Sequence, residues 1–215
     1  MASIALSGLP MTIKAVLTGD LIHSQSSYDT LAYIDSLQSV LKRLEASFAF
    51  KAETYRGDGF QLVPENTVEA VRCAVVLRAG LIASSPPEER WDARIAIGIG
   101  TVEAQRGFGE AFVLSGQGLD GMKKNSLAVF SSDSQLQERL GLVTEFVAAI
   151  LDGWTTVEAQ TYFLQAIEGR DQQGTALLLG KSRVTVNKAL QRANARLVDR
   201  YLERSRDWIK ELLHG

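Results

Sequence analysis

Gln172-Gln-Gly-Thr-Ala-Leu-Leu-Leu-Gly-Lys-Ser-Arg-Val-Thr-Val-Asn-Lys-Ala-Leu-Gln191 reads as two short helices joined by a tight turn. Ala176 marks the place where the helices cross closely and a larger side chain would clash. Gly180, four residues on, suits a left-handed turn that glycine adopts freely. Ser182 can cap the second helix, and Val186 and Leu190 return to the interior at i, i+4 spacing. That leaves Thr185, Asn187, Lys188 and Gln191 on the outer face, with Arg183 near the helix start. Side chains of these types, so placed, can read base edges or hold phosphates. Periodicity carries the second helix on through Arg192, Arg196, Arg200 and Arg204, a basic stripe in which Arg192 and Arg196 suit phosphate contacts.

The segment closely resembles the helix-turn-helix of phage repressors, down to the run Asn187-Lys188-Ala189. The charge distribution agrees. Residues 170–215 carry ten Lys/Arg against five Asp/Glu, whereas the rest of the chain carries thirteen against twenty. A basic end on an acidic body fits a module for double-stranded DNA attached to something else; taken alone it fits a solvated helix face equally well.

Working outward, 215 residues suffice for one large or two small domains, and 46% apolar with 22% charged residues is ordinary for a globular chain. The net charge of −2 gives no global basic field. Cys73 is the single cysteine, so no intrachain disulfide can form, and its apolar run marks it as a small core residue. No apolar stretch reaches bilayer length, and residues 1–10 lack a basic start, so the expectation is a cytoplasmic protein with no membrane partner. His23 and His214 are too sparse to suggest zinc.

Upstream of the two-helix unit, the pattern gives a strand from Thr12 to Thr18 and an amphipathic helix from Tyr28 to about Phe48. Two strands, 50–56 and 59–63, flank the turn Gly57-Asp58-Gly59. A helix capped by Asn66 follows, then a buried strand 94–102, a bend at residues 107–109, a helix from Ala111 and a last strand 126–131. This β-α-β-β-α-β order with a further helix and strand is that of a ferredoxin-like antiparallel sheet with helices on one face. The expected class is α+β: an extension at 1–11, the sheet domain at 12–132, and an all-α domain at 133–215 containing the 172–191 unit.

Asp20 closes the first strand and Asp58 sits at the hairpin tip. Neighbouring strands would set the two carboxylates face to face, a donor set that suits Mg2+ or Mn2+ with phosphate as co-ligand. Gly-Asp is also ordinary turn chemistry, and the two readings stand level. Arg56 and Arg94 are candidates for phosphate contact, although a strand arginine more commonly makes an ion pair.

The layout Leu17-Thr-Gly-Asp20, Arg56-Gly-Asp-Gly-Phe-Gln61, Arg94-Ile-Ala-Ile-Gly-Ile-Gly-Thr-Val-Glu103 and Gly109-Glu-Ala-Phe112 resembles the class III nucleotide cyclase domain. It is still more similar to the SatD-like family, which couples such a domain to a C-terminal helix-turn-helix. Trp154-Thr-Thr-Val-Glu-Ala-Gln160, Gln172-Gln173 and the segment beyond also match that family's tail. The likeness covers Thr12 to about Glu203. It implies metal binding at Asp20 and Asp58, a nucleotide ligand and a homodimer. The cyclase family's purine-selecting lysine falls on Thr54. Its transition-state asparagine and arginine fall on Val113 and Gln117, neither of which supplies charge to a pentavalent phosphorus.

Three functions follow. The first is a DNA-binding transcriptional regulator whose cyclase-like domain, without catalysis, senses a ligand or dimerises. The second is a metal-dependent nucleotide cyclase or nucleotidyltransferase with an accessory helix-turn-helix. The third is a structural dimer whose tail binds protein. The absent Asn/Arg pair favours the first over the second. The outward Asn187, Lys188 and Gln191 favour it over the third.

Overall fold

The computed structural model describes residues 11–55, 57–103, 108–169 and 171–214. In chain order the elements are β1 (Met11–Leu21), α1 (Thr30–Glu45), β2 (Phe50–Tyr55), β3 (Gly59–Pro64), α2 (Ala70–Ala83), β4 (Ala93–Glu103) and β5 (Phe108–Gly109). There follow α3 (Glu110–Gly121), β6 (Leu127–Ser131), α4 (Ser134–Asp152), α5 (Thr156–Glu168), α6 (Gln172–Leu179), α7 (Arg183–Arg192) and α8 (Ala195–His214). The chain mixes strands and helices as its periodicities indicate. Among the described residues no single helix is long and apolar enough to cross a membrane.

Local chemistry sets the boundaries. Asp29 caps α1 by accepting from the Ala32 amide, and Tyr33, Leu37, Val40, Leu41 and Leu44 form its buried stripe. Gly57, with φ of 86°, turns the β2–β3 hairpin, in which Tyr55 faces Gly59. The strands run in the order β2-β3-β1-β4, every neighbouring pair antiparallel. The short β5 pairs with the far end of β4, and β6 runs parallel to β4, a departure from the all-antiparallel expectation. The outer edge of β6 is covered from α4, where Gln137 accepts from the Ser131 amide (2.8 Å) and donates to the Val129 carbonyl (3.2 Å).

Alternation divides the sheet into two faces. Ala15, Leu17, Leu21, Phe60, Leu62, Ile95, Ile97 and Ile99 join the main core with α1 and α2. Val16 and Val102 point the other way and pack on Ala111 of α3. Helices therefore cover both faces, which corrects the one-face arrangement read from the sequence. The reason is the missing side chain at Gly98. A Cβ there would lie 2.2 Å from the Ala111 carbonyl oxygen and 2.6 Å from the Ser115 nitrogen, so α3 rests directly on the β4 backbone. Gln61 donates to Thr18 (3.2 Å), and the Thr18 and Ser115 hydroxyls are 2.8 Å apart, fixing the helix across three elements. Gly98→Ala should cost about 1–3 kcal/mol by forcing α3 off the sheet. An unchanged midpoint in urea unfolding would show that α3 shifts without penalty.

The helical C-terminal part shares the same core. Leu136, Leu140 and Leu151 of α4, Phe163 of α5, and Val198, Tyr201 and Ile209 of α8 lie in one buried cluster with Leu77 and Leu81 of α2. Arg78 of α2 is fully buried. It makes a two-pronged pair with Asp92, 2.9 Å from Nε and 2.6 Å from Nη2, and a further bond to Asp152 at the end of α4. Arg90 joins this cluster through Asp92 and donates to the carbonyls of Leu151 and Trp154.

Candidate nucleic-acid interface and carboxylate site

Asp171 opens α6 by accepting from the Gly174 amide (2.8 Å). At its other end Gly180 is left-handed (φ 59°, ψ 32°), and Gly180 and Lys181 donate to Leu177 and Ala176 in a Schellman arrangement. Ser182 accepts from the Thr185 amide (3.1 Å) and starts α7. Ala176, Val186, Ala189 and Leu190 are buried. Arg183, Thr185, Lys188 and Gln191 are exposed together on the outer side of α7. Asn187 is half-buried and receives a long hydrogen bond, 3.4 Å, from Gln172.

Four of the arginines stand differently from the sequence reading. Helix α7 does not run on past Arg192. Asn194 turns left-handed (φ 52°) and α8 begins at Ala195, so Arg196, Arg200 and Arg204 belong to a separate helix, where they are exposed. The break has a tertiary cause: the Trp154 indole donates to the Ala193 carbonyl (2.8 Å), at the point where the helical ladder stops. Arg192 donates to Glu158 at 2.7 Å. Burial raises the Glu158 carboxyl, but the hydrogen bonds from Thr155 and Arg192 outweigh it and hold the group below the ordinary glutamate value.

A feature the sequence reading passed over is apolar. Leu177 and Val184 are 74% and 63% exposed, and Leu178 is also exposed. The run Leu177-Leu-Leu179 carried that signal, since a helix so short cannot bury all three.

Asp20 and Asp58 lie at the same end of the sheet, where the Leu21 amide donates to the Asp58 carbonyl (3.0 Å). Their side chains have different company. Asp20 is opposite Gly59 on β3 and Arg94 on β4, and Arg94 takes both of its oxygens, at 2.9 Å and 2.5 Å. Arg94 also donates to the Met122 carbonyl at the end of α3 (3.0 Å), so its guanidinium serves as an ion-pair and capping group. The hydrogen bonds to Asp20 raise the pKa of the Arg94 guanidinium, outweighing the opposite effect of burial. Asp58 accepts from Ser24, on the approach to α1, at 2.9 Å. No group of three or more His, Cys, Asp or Glu able to hold a metal occurs among the described residues. A cation shared by Asp20 and Asp58 requires Asp20 to release Arg94 first. Arg56 lies outside the described residues.

On α3, Val113 and Gln117 face solvent, and Thr54 is exposed on β2. The arrangement thus offers exposed polar side chains on α7 and, on the sheet, an ion-paired carboxylate. No family model and no curated protein matches this chain.

Proposed function

We propose that this protein is a DNA-binding regulator built from a ferredoxin-like, cyclase-like sheet unit and a C-terminal helix-turn-helix, with α7 as the recognition helix. One observation carries the reading: Arg183, Thr185, Lys188 and Gln191 are exposed on a helix that buries Val186, Ala189 and Leu190 and whose start is fixed by Gly180 and Ser182. Selection from random duplexes, followed by binding at several salt concentrations, tests it. The expectation is an enriched motif and affinity that falls steeply with salt. No motif and no salt-dependent binding would defeat it.

The exposed Leu177, Leu178 and Val184 favour a second reading, in which the same unit docks on protein. Defeat of the DNA reading would put this one in front.

A single recognition helix spans few base pairs, so the regulator works as a homodimer. Sedimentation at micromolar concentration should show the dimer, and a monomer both with and without DNA would count against it. The sheet unit is not a cyclase: Val113 and Gln117 carry no charge for a transition state. A nucleotide or dimer contact is its task. In this reading Mg2+ or Mn2+ binds Asp20 and Asp58 once Arg94 swings out, which its partial exposure permits. Changing both aspartates to Asn should abolish Mn2+ binding in calorimetry and leave stability nearly unchanged, because Asn is as well suited to turns. Equal Mn2+ affinity in the double variant would reduce the pair to turn chemistry.

A further inference from the structure

Where α2 meets α5 and α8 there is a cavity of about 420 Å3, within the range of small-ligand sites. Its walls carry both signs of charge. Asp199 and Glu203 enter from α8, one turn apart. Arg72 enters from α2, held in place by the Ala166 carbonyl (3.1 Å) and by the Phe48 ring, 5.7 Å from its guanidinium. Val68, Ala166 and Leu202 add an apolar surface between them. Tyr162 donates to one oxygen of Asp199 at 2.9 Å. Burial, and then the charge of Glu203, raise the Asp199 carboxyl against the opposing effects of Tyr162 and Arg72. Asp199 is nonetheless exposed, so its carboxylate is open to a ligand ammonium.

We propose that this cavity binds a small zwitterion of the free amino acid type, its ammonium on Asp199 and Glu203 and its carboxylate on Arg72. A dianion would face the two carboxylates of α8. A dication would face Arg72 and Arg206, the latter lying beside the cavity with its guanidinium on Glu69. The site reaches the end of α7 through one intervening side chain. The Tyr162 ring is 4.9 Å from that of Trp154, whose indole holds the Ala193 carbonyl at the α7–α8 break. A ligand that fixes Tyr162 and Asp199 therefore also fixes the joint behind α7.

The test uses the full chain without DNA, so it does not depend on the regulator reading. Each common amino acid is screened at millimolar concentration by thermal unfolding, with succinate and putrescine as single-sign controls, and hits are titrated by calorimetry. At least one amino acid should raise the melting temperature, and the controls should not. Asp199→Asn, which can still accept from Tyr162, and Arg72→Met should each weaken binding about tenfold or more. Glu203→Gln, at an exposed position, should weaken it by a smaller factor and covers the case in which Asp199→Asn does not fold. The proposal is overturned if no amino acid shifts the transition, if succinate or putrescine binds as tightly, or if the variants that fold bind like the parent chain.

Discussion

Alanine in place of Asp92 should lower the unfolding free energy by about 3–5 kcal/mol, the usual cost of stranding a buried charge. Arg78 is fully buried, and its Nη1 finds no partner among the described residues. Asp92 supplies two of its three hydrogen bonds, and the third comes from Asp152, whose side chain is 49% exposed. Removing Asp92 leaves the guanidinium with one weak, solvent-screened partner and takes from Arg90 its carboxylate, though not its bonds to the Leu151 and Trp154 carbonyls. The backbone bonds that join Asp92 to the Tyr33 hydroxyl do not depend on the substituted side chain. Asp152→Asn should cost clearly less, about 1–2 kcal/mol, because its carboxylate is half in water and the amide can still accept from Arg78. Arg78→Met should fall between the two: it removes the buried cation and leaves Asp92 paired with Arg90. Urea unfolding at neutral pH with unchanged m-value gives the comparison. If Asp92→Ala has an unfolding free energy within about 1 kcal/mol of the parent's, the Arg78 network does not hold α2 to β4 and α4.

Arg78 also shows what a sequence pattern hides. In the apolar run of α2 a lone arginine reads as the solvent side of the helix, yet α5, α4 and the sheet enclose that side as well. Only the distant Asp92 and Asp152 make its burial tolerable, and neither is near it in sequence. The break between α7 and α8 is invisible for a similar reason. Arg192, Arg196, Arg200 and Arg204 keep helical spacing straight across Ala193 and Asn194, and the element that stops the helix is an indole about forty residues upstream. Placement of α3 turned on Gly98, whose missing side chain has no periodicity to read. By contrast, the β2–β3 hairpin, α1, and the boundaries at Gly180 and Ser182 were legible, because each is set by residues within four positions of itself. For the carboxylate site, sequence located Asp20 and Asp58 at one end of the sheet. It could not say that Arg94 would occupy both oxygens of Asp20, since that depends on the β1–β4 register.

If α7 reads DNA, its side chains should separate into three kinds of effect. Gln191→Ala should relax specificity at one base pair and cost about 1–3 kcal/mol on the preferred site, since glutamine can pair with an adenine edge through two hydrogen bonds. Asn187 is half-buried and already bonded to Gln172, so its replacement should act partly through the fold and show a smaller loss of specificity. Arg196→Ala should weaken binding to all duplexes alike and flatten the salt dependence by about one unit, as loss of a phosphate contact does. The corresponding change at Arg192 should behave otherwise. Its guanidinium is engaged by the buried Glu158, which in turn holds Thr155 at the start of α5. Arg192→Ala should therefore leave a buried carboxylate with only its Thr155 bonds and lower stability by about 1–3 kcal/mol, with the salt slope unchanged. Measuring both slopes on one random-sequence duplex decides between the two roles. If Arg192→Ala flattens the slope and leaves stability intact, then the Glu158 pair opens on DNA and the arginine belongs to the interface after all.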